Sequence, residues 1–259
     1  MQHAPVLEQL TQVDSTNAEL LRRCQTGATQ SMAIYALDQS AGRGRNGKTW
    51  DAPTRGLYYS QTLCFQGAPR ELSGLSLALG IAAIEAVHAA IAGLHQHVAT
   101  PTLMLKWPND LWINRRKLGG ILIEIAPSAS AQKLKQTTII AGIGINLAGV
   151  SGTDRTAERT DLAAHGIALE AQPLANAMLH HWQLAAAMFG AQGFAAFHAR
   201  WPALDALAGQ EVLLSDSAEC TWRAAGVNGD GALRLQSSAH GERWLTSGEV
   251  SLKLMSALP

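Results

Sequence analysis

The sequence predicts an α+β protein in two parts, a larger domain that mixes strands and helices and a small all-β domain at the C-terminus. Three observations lead there. Leu72 to Leu94 is a long apolar run dominated by Ala and Gly, of helical composition. Runs with strand character flank it, among them Ser31–Leu37, Gly56–Phe65, Leu103–Trp107 and Thr137–Leu147. After Trp201-Pro202 the texture changes to short β-like runs. The boundary is set to give domains 1–205 and 206–259, with the all-β part starting near Gly209.

Each element follows from local pattern. Thr16-Asn17-Ala18-Glu19 has capping-box spacing and opens a helix from about Asn17 to Cys24. SMAIYAL and GLYYSQTLCF read as strands on either side of a glycine-rich loop. LMLKW ends at the turn signal Pro108-Asn109-Asp110. LWI, Asn114-Arg115-Arg116 and KLGGILIEI form a hairpin, and TTIIAGIGINL is the next strand. Gly149 to Asp161 is a polar loop. Pro173 to Arg200 is helical in pattern, interrupted near Gly190 and Gly193. EVLLS, CTWRAAGV, ALRLQSS and ERWLTS are the C-terminal strands, with Asn228-Gly229-Asp230-Gly231 as a hairpin turn.

Whole-chain quantities narrow the function. At 259 residues there is room for a sizeable core. The 20 basic and 20 acidic residues cancel, so no overall field draws nucleic acid or an anionic membrane, and any anion must be held locally. Cys24, Cys64 and Cys220 are scattered and odd in number, which indicates neither a zinc site nor a disulfide framework. The N-terminus lacks the pattern of an export signal, and the expected location is the cytoplasm. Leu72 to Leu94 is nearly long enough to cross a bilayer. Glu85, His88 and its small residues favour a buried core helix, so no membrane partner is expected. His95 with His97, and His180 with His181, lack the i, i+4 spacing of helical metal ligands; they read as surface histidines, and no metal site is expected.

The stretch GRGRNGKT, Gly42 to Thr49, fits both a Walker A loop and a dinucleotide fingerprint. Both patterns need a helix to open at the loop. Pro53 and Gly56 leave no room for one, which turns both readings away and leaves a strand–loop–strand setting that a ligand would order. Arg43 and Arg45 then carry the information, either as forks of donors over an anion or as a solvated basic turn. Lys106 ends one strand and Lys117 begins another, just ahead of Gly119-Gly120. In AGIGIN, Gly142, Gly144 and Asn146 share a face stripped of side chains, either a slot for a flat ligand or room for a helix.

VDSTN (Val13–Asn17), QSAGRGRNGKTW (Gln39–Trp50), KWPNDLW (Lys106–Trp112), KLGGILIE (Lys117–Glu124) and GIGIN (Gly142–Asn146) occur in the order and spacing of the biotin protein ligases, a family this chain closely resembles from about residue 10 to 150. The resemblance implies a class II synthetase-like mixed β-sheet flanked by helices, followed by an SH3-like β-barrel. It implies a two-step reaction. Biotin and MgATP give biotinyl-5'-AMP and pyrophosphate, and a lysine of the biotin carboxyl carrier protein of acetyl-CoA carboxylase then takes the biotin. A monomer or homodimer is implied. Only about 14 residues precede the first motif, too few for an added DNA-binding domain, so no DNA partner is expected.

Site roles follow from the same resemblance. Ser15, Thr16, Asn17, Gln39, Gly42, Gly119 and Gly120 belong to the biotin pocket, together with Arg43, Arg45 and Lys117. Arg43, Gly44, Arg45, Trp50, Lys106, Asn109 and Asn146 belong to the ATP and adenylate site. Arg45, Lys106, Lys117 and Asp110 are the catalytic set, with Asp110 as a base for the carrier lysine. Each has a plainer alternative: Thr16 as a helix cap, Ser15 as a turn residue, Trp50 as core, Asn109-Asp110 as a turn. Lys48 and Thr49 carry no assignment. Where many relatives place a third basic residue in the loop, this chain has Asn46. Lipoate or octanoate ligases and transferases of the same fold are the nearest rival. A non-catalytic biotin-binding module is the other, disfavoured by two lysines that a pure binder does not need.

Overall fold

A computed structural model of the protein describes residues 5–27, 31–50, 55–94, 100–127, 136–150, 159–215, 217–246 and 252–254. His95, His97, Pro53 and positions 151–158 of the polar loop lie outside the described residues.

A seven-stranded mixed sheet forms the body, in the order β1-β2-β3-β7-β6-β5-β4. Its strands are β1 (Leu7–Val13), β2 (Ala33–Gln39), β3 (Arg55–Gln66), β4 (Leu103–Lys106), β5 (Asp110–Ile113), β6 (Arg116–Ile125) and β7 (Gln136–Ala148). β1 and β2 are parallel, and the other neighbours are antiparallel. The central strands β3 and β7 pair along almost their whole length, which fixes which residues share a face.

Strict alternation divides this sheet. Tyr59 and Phe65 of β3 face helix α3 (Ala171–Gln192), meeting Trp182 and Phe189 edge to face at 5.4 and 5.8 Å between ring centres. Helix α2 (Leu75–Ala92) packs with α3 on this side. By length and apolarity the span Pro69–Ala92 would pass for a membrane helix, but 72% of its apolar window is buried inside the protein. Its Ala and Gly content allows the close approach, as at Gly80 against Leu105. The even-numbered residues of β3 and β7 face the other way, toward helix α1 (Thr16–Gln25), where Leu20 packs with Ile34 and Ile140.

Three sequence expectations shift. The capping box at Thr16 is not made: Ser15 is the N-cap, its Oγ accepting from Ala18 N, while Glu19 binds Arg22 and Arg23. Only Gly193 breaks the long helix, at φ +64°, before the short α4 (Ala195–His198); Gly190 stays inside α3. Strand β1 carries no sequence signal because it is an edge strand with mostly exposed side chains, so no alternation marks it.

The C-terminal part is a five-stranded antiparallel sheet, β11-β10-β9-β8-β12, built from β8 (Glu211–Leu214), β9 (Ser217–Val227), β10 (Leu233–Ser237), β11 (Gly241–Leu245) and β12 (Leu252–Leu254). One hydrophobic core runs through both parts. The Trp107 indole donates to Gly231 O at 3.0 Å, and Leu105 N donates to Leu204 O at 2.7 Å.

Candidate active site

The site forms on the α1 face, and a defect in strand pairing helps build it. Lys106 opposes Asp110 across β4 and β5, and Asp110 opposes Gly120 across β5 and β6. Lys117 and Gly120 are three residues apart, so regular alternation would put them on opposite faces. The ladder slips instead: Leu111 pairs with Gly119 and Trp112 with Lys117, which leaves Leu118 as a bulge. The slip turns Lys117 onto the face of Asp110, where its Nζ lies 2.7 Å from Asp110 Oδ1. The Lys106 ammonium sits 5.1 Å above the Trp112 ring on the same face.

Two adjoining cavities open here, the second much the smaller, sharing Arg43, Trp50, Gly120 and Leu122 in their walls. The larger is cationic. Arg43, Arg45, Lys48, Lys106 and Lys117 line it, and Asp110 is the one carboxylate among its described lining residues. Burial pushes the Arg45 guanidinium below its ordinary pKa, and the charge of Asp110 partly offsets this. The smaller cavity is polar, with Ser15, Thr16, Asn17 and Gln39 around it, the first three almost fully buried. Gln39 Oε1 accepts from Thr16 N at 3.0 Å and lies 3.3 Å from Thr16 Oγ1; Ser60 Oγ lies 2.7 Å from Thr16 Oγ1 and 2.6 Å from Asn17 Oδ1.

The loop from Gly42 to Trp50 folds back on itself. Gly44 N donates to Lys48 O, and Trp50 N to Gly42 O. Arg45–Gly47 is a single 3₁₀ turn with Asn46 at φ 55° and Gly47 at φ +71°. Lys48 is extended and Thr49 bridges Arg43, so no helix opens at the Gly-Lys-Thr triplet. That geometry excludes a P-loop. The loop reaches the sheet through Arg43, whose Nη2 donates to Glu124 at 3.0 Å, and through Arg45, whose Nη1 donates to Asn109 Oδ1 at 3.3 Å.

The glycine face of β7 does part of both expected jobs: Gly142 makes room for Asn17 of helix α1, and Gly142 and Gly144 line the smaller cavity. A Cβ on Gly142 would lie 2.0 Å from Asn17 Oδ1, and one on Gly144 would lie 2.7 Å from the Trp50 indole. The two glycines receive a side-chain amide and a tryptophan ring. Lys117 Nζ and the Arg159 guanidinium lie 5.3 and 5.7 Å from the Trp50 ring centre.

Of the expected site residues, Ser15, Thr16, Asn17, Gln39, Arg43, Gly44, Arg45, Trp50, Lys106, Asn109, Asp110, Lys117 and Gly120 line the two cavities. Gly42 lies just behind, packed on Gln39 and Trp50. Two more do not line them. Gly119 falls on the opposite face, where a Cβ would meet Gly144 O at 2.5 Å, so its role is close strand packing. Asn146 is fully buried and donates to Thr160 O at 2.8 Å. Three residues that sequence reasoning passed over stand at the site. Glu124 and Tyr58 were reachable by parity, because Glu124 shares a face with Gly120 and Leu122, and Tyr58 opposes Gly144. The Tyr58 hydroxyl is buried without a partner among the described residues, and burial first, then Asp38, pushes it up to about 12 against the pull of Arg159. Arg159 follows a polar stretch with no periodicity and gave no signal.

Comparison with known proteins agrees with this geometry. The model of the Biotin/lipoate A/B protein ligase family matches residues 10–146. The bifunctional ligase/repressor BirA of Escherichia coli is 31% identical over 246 residues, covering 93% of this chain and 72% of that protein. A biotin–[acetyl-CoA-carboxylase] ligase of Paracoccus denitrificans is 28% identical over 93% of this chain and 98% of its own length. Among solved structures, the biotin protein ligase from Aquifex aeolicus in complex with biotin and ATP superposes with a TM-score of 0.76 at 26% identity, covering 96% of this chain and 99% of that one. The match of the family model over residues 10–146, together with a cation-lined cavity joined to a polar one, places this chain in the biotin/lipoate A/B protein ligase family.

Proposed function

We propose that the protein is a biotin–protein ligase that activates biotin with ATP to biotinyl-5'-AMP and pyrophosphate, then passes the biotinyl group to a lysine of the biotin carboxyl carrier protein of acetyl-CoA carboxylase. The observation that carries this is the meeting of the two cavities at Arg43, Trp50 and Gly120, with Lys117 beside Gly120 and Lys106 and Arg45 also lining the larger one. A carboxylate and a triphosphate repel each other. A site that joins them must supply fixed cations where charge develops on the α-phosphoryl group, and must hold the pair in contact.

The polar cavity takes the ureido ring through Ser15, Thr16, Asn17 and Gln39, and directs the carboxylate toward Lys117. A carboxylate oxygen then bonds to the α-phosphorus and pyrophosphate leaves. Lys117, Lys106 and Arg45 stabilise the charge of that transition state. In the second step the carrier amine attacks the acyl carbon, AMP leaves and an amide forms. Asp110, which also holds Lys117 in place, receives the amine's proton. Magnesium travels with ATP: among the described residues no three His, Cys, Asp or Glu side chains cluster to hold a metal, and a phosphate-bound Mg²⁺ keeps most of its ligands from phosphate and water. Asp110 and Asn109 stand where they would meet it. We further assign 206–259 as a separate domain, its five-stranded sheet as the SH3-like barrel, and the cytoplasm as the compartment, where ATP and the carrier are.

The test is the intact mass of a carrier domain incubated with this protein, MgATP and biotin, lipoate or octanoate. A biotin adduct on one lysine that requires ATP is the expected result. A lipoyl or octanoyl adduct instead would keep the fold and overturn the substrate, and absence of any adduct would overturn the ligase.

A further inference from the structure

The two arginines of the GRGR loop are held differently. Arg43 is spoken for: its Nη2 lies 3.0 Å from Glu124 Oε2. The same oxygen accepts from Asn17 Nδ2 at 2.8 Å, and Asn17 Nδ2 also lies 3.3 Å from Leu122 O. Asn17 is seated in the notch over Gly142, its Oδ1 accepting from Ser60. A continuous line of contacts therefore runs from the loop, through Glu124, to the floor of the polar cavity. Among the described residues Arg45 makes no salt bridge to a carboxylate, and Asp110 acts on it only at longer range. The Arg45 hydrogen bond to the neutral Asn109 amide is long, at 3.3 Å, and the side chain lines the cationic cavity.

Resting on the ligase reading above, we propose that Glu124 is the anchor of this loop, a positioning residue that holds Arg43 as a strap and ties loop closure to Asn17 in the biotin cavity, while Arg45 is the loop's phosphate-facing cation. A guanidinium N–H donated to a largely shielded carboxylate is a charge-assisted, directional tie. It costs the phosphates nothing, because Arg45 remains for them. The line through Asn17 also gives biotin a way to favour closure: a ligand that orders Asn17 orders Glu124, and Glu124 holds Arg43. The absence of a third basic residue at Asn46 then falls on adenylate affinity, whereas closure depends on Glu124.

The test is a double-mutant cycle of Arg43→Gln and Glu124→Gln in the full chain. Each protein is loaded with biotin and MgATP, and escape of the adenylate is followed after a chase without carrier. Hydrogen exchange at the Gly44, Lys48 and Trp50 amides, the donors that close the loop, is followed in the same proteins without nucleotide. Each single variant should release adenylate about tenfold faster, the worth of one hydrogen bond to a charged group. For Glu124→Gln, the biotin KM should rise while the rate of adenylate formation at saturation stays close to that of the parent. The double variant should be no leakier than the worse single one, and Glu124→Gln should speed exchange of the loop amides. Arg43→Lys, which keeps the charge on a smaller head, should restore part of the retention. Effects that multiply in the double variant would mean that Arg43 touches the phosphates itself, and would overturn the proposal. So would a Glu124→Gln protein whose retention and loop exchange match the parent. A parent that forms no adenylate would instead overturn the ligase reading, and this inference with it.

Discussion

Lys117 Nζ meets Asp110 Oδ1 at 2.7 Å because β6 carries one residue more than β5 at Leu118. The pair holds the ammonium in the larger cavity, beside the Gly120 that both cavities share, while leaving its remaining donors to face a ligand. Replacing Lys117 by Met should therefore lower the rate of adenylate formation by about 10²–10³, the cost of losing one fixed donor to a developing oxyanion. Stability should change little, since the side chain is partly exposed. Single-turnover formation of biotinyl-5'-AMP, alongside urea unfolding, checks both. Deleting Leu118 should do the same damage by a different route, returning position 117 to the far face.

The glycines of β7 make a second prediction. Gly144→Ala places a methyl group within 2.7 Å of the Trp50 ring, and Gly142→Ala within 2.0 Å of the Asn17 amide. Neither neighbour is the free end of a flexible chain, so both must move. Gly144→Ala should displace Trp50 from its seat beside Lys117, and Gly142→Ala should break the Asn17 contacts to Ser60 and Glu124. We expect a biotin KM raised about tenfold or more for each, on the scale of one or two lost hydrogen bonds. Titration of biotin binding by tryptophan fluorescence and by calorimetry separates the two, because only Gly144→Ala should alter the emission of the unliganded protein.

These glycines also show what was legible in the sequence. Alternation placed Gly142 and Gly144 on one face and marked that face as stripped, and the sheet bears this out. It gave no means to identify the occupant, because Asn17 and Trp50 arrive from distant elements. The same limit applies to Arg43 and Glu124, 81 positions apart. Lys117 was singled out by its place before a glycine pair, but the bulge that aims it depends on pairing with β5, which local pattern does not reveal. The helix α2 was plain from composition. Strand β1 was not, since an exposed edge strand has no buried side to alternate with.

A third prediction concerns acid. Asp14 precedes the N-cap of α1 and binds Arg22 through both its oxygens, at 2.8 Å each, while its Oδ1 also accepts from Ser15 N. The Arg22 bond is the main reason its carboxyl is held down, at about 2. The folded value lies below the ordinary one, so the ionised carboxylate is the form that stabilises the fold. Its contribution is complete above about pH 4 and is lost as the pH falls toward 2. Asp14→Asn should be less stable than the parent at neutral pH by well under 1 kcal/mol, because nearly half of the carboxylate side chain is exposed to screening solvent. The difference should be largely lost by pH 2. Urea midpoints of the two proteins between pH 2 and pH 6 are the measurement.

The last prediction tests how the C-terminal sheet is joined to the body. Gly231 sits at φ +78°, and a Cβ there would lie 2.7 Å from Gly74 Cα, which is backbone and cannot turn aside. Its carbonyl accepts from the buried Trp107 indole, next to the turn that carries Asn109 and Asp110. Gly74 itself is the N-cap of α2, and Ser73 Oγ donates to Asp230 O across the same seam. Gly231→Val therefore combines left-handed backbone strain with a backbone clash. It should cost several kcal/mol, more than the roughly 1–3 kcal/mol of strain alone. Because the seam touches Trp107, the loss should not stay with the C-terminal sheet. Adenylate formation should fall along with stability, even though position 231 lies across the seam from the cations of the larger cavity. A variant truncated ahead of β8 that kept full adenylation would show that the Trp107 turn holds without Gly231, and that the C-terminal sheet leaves the site alone.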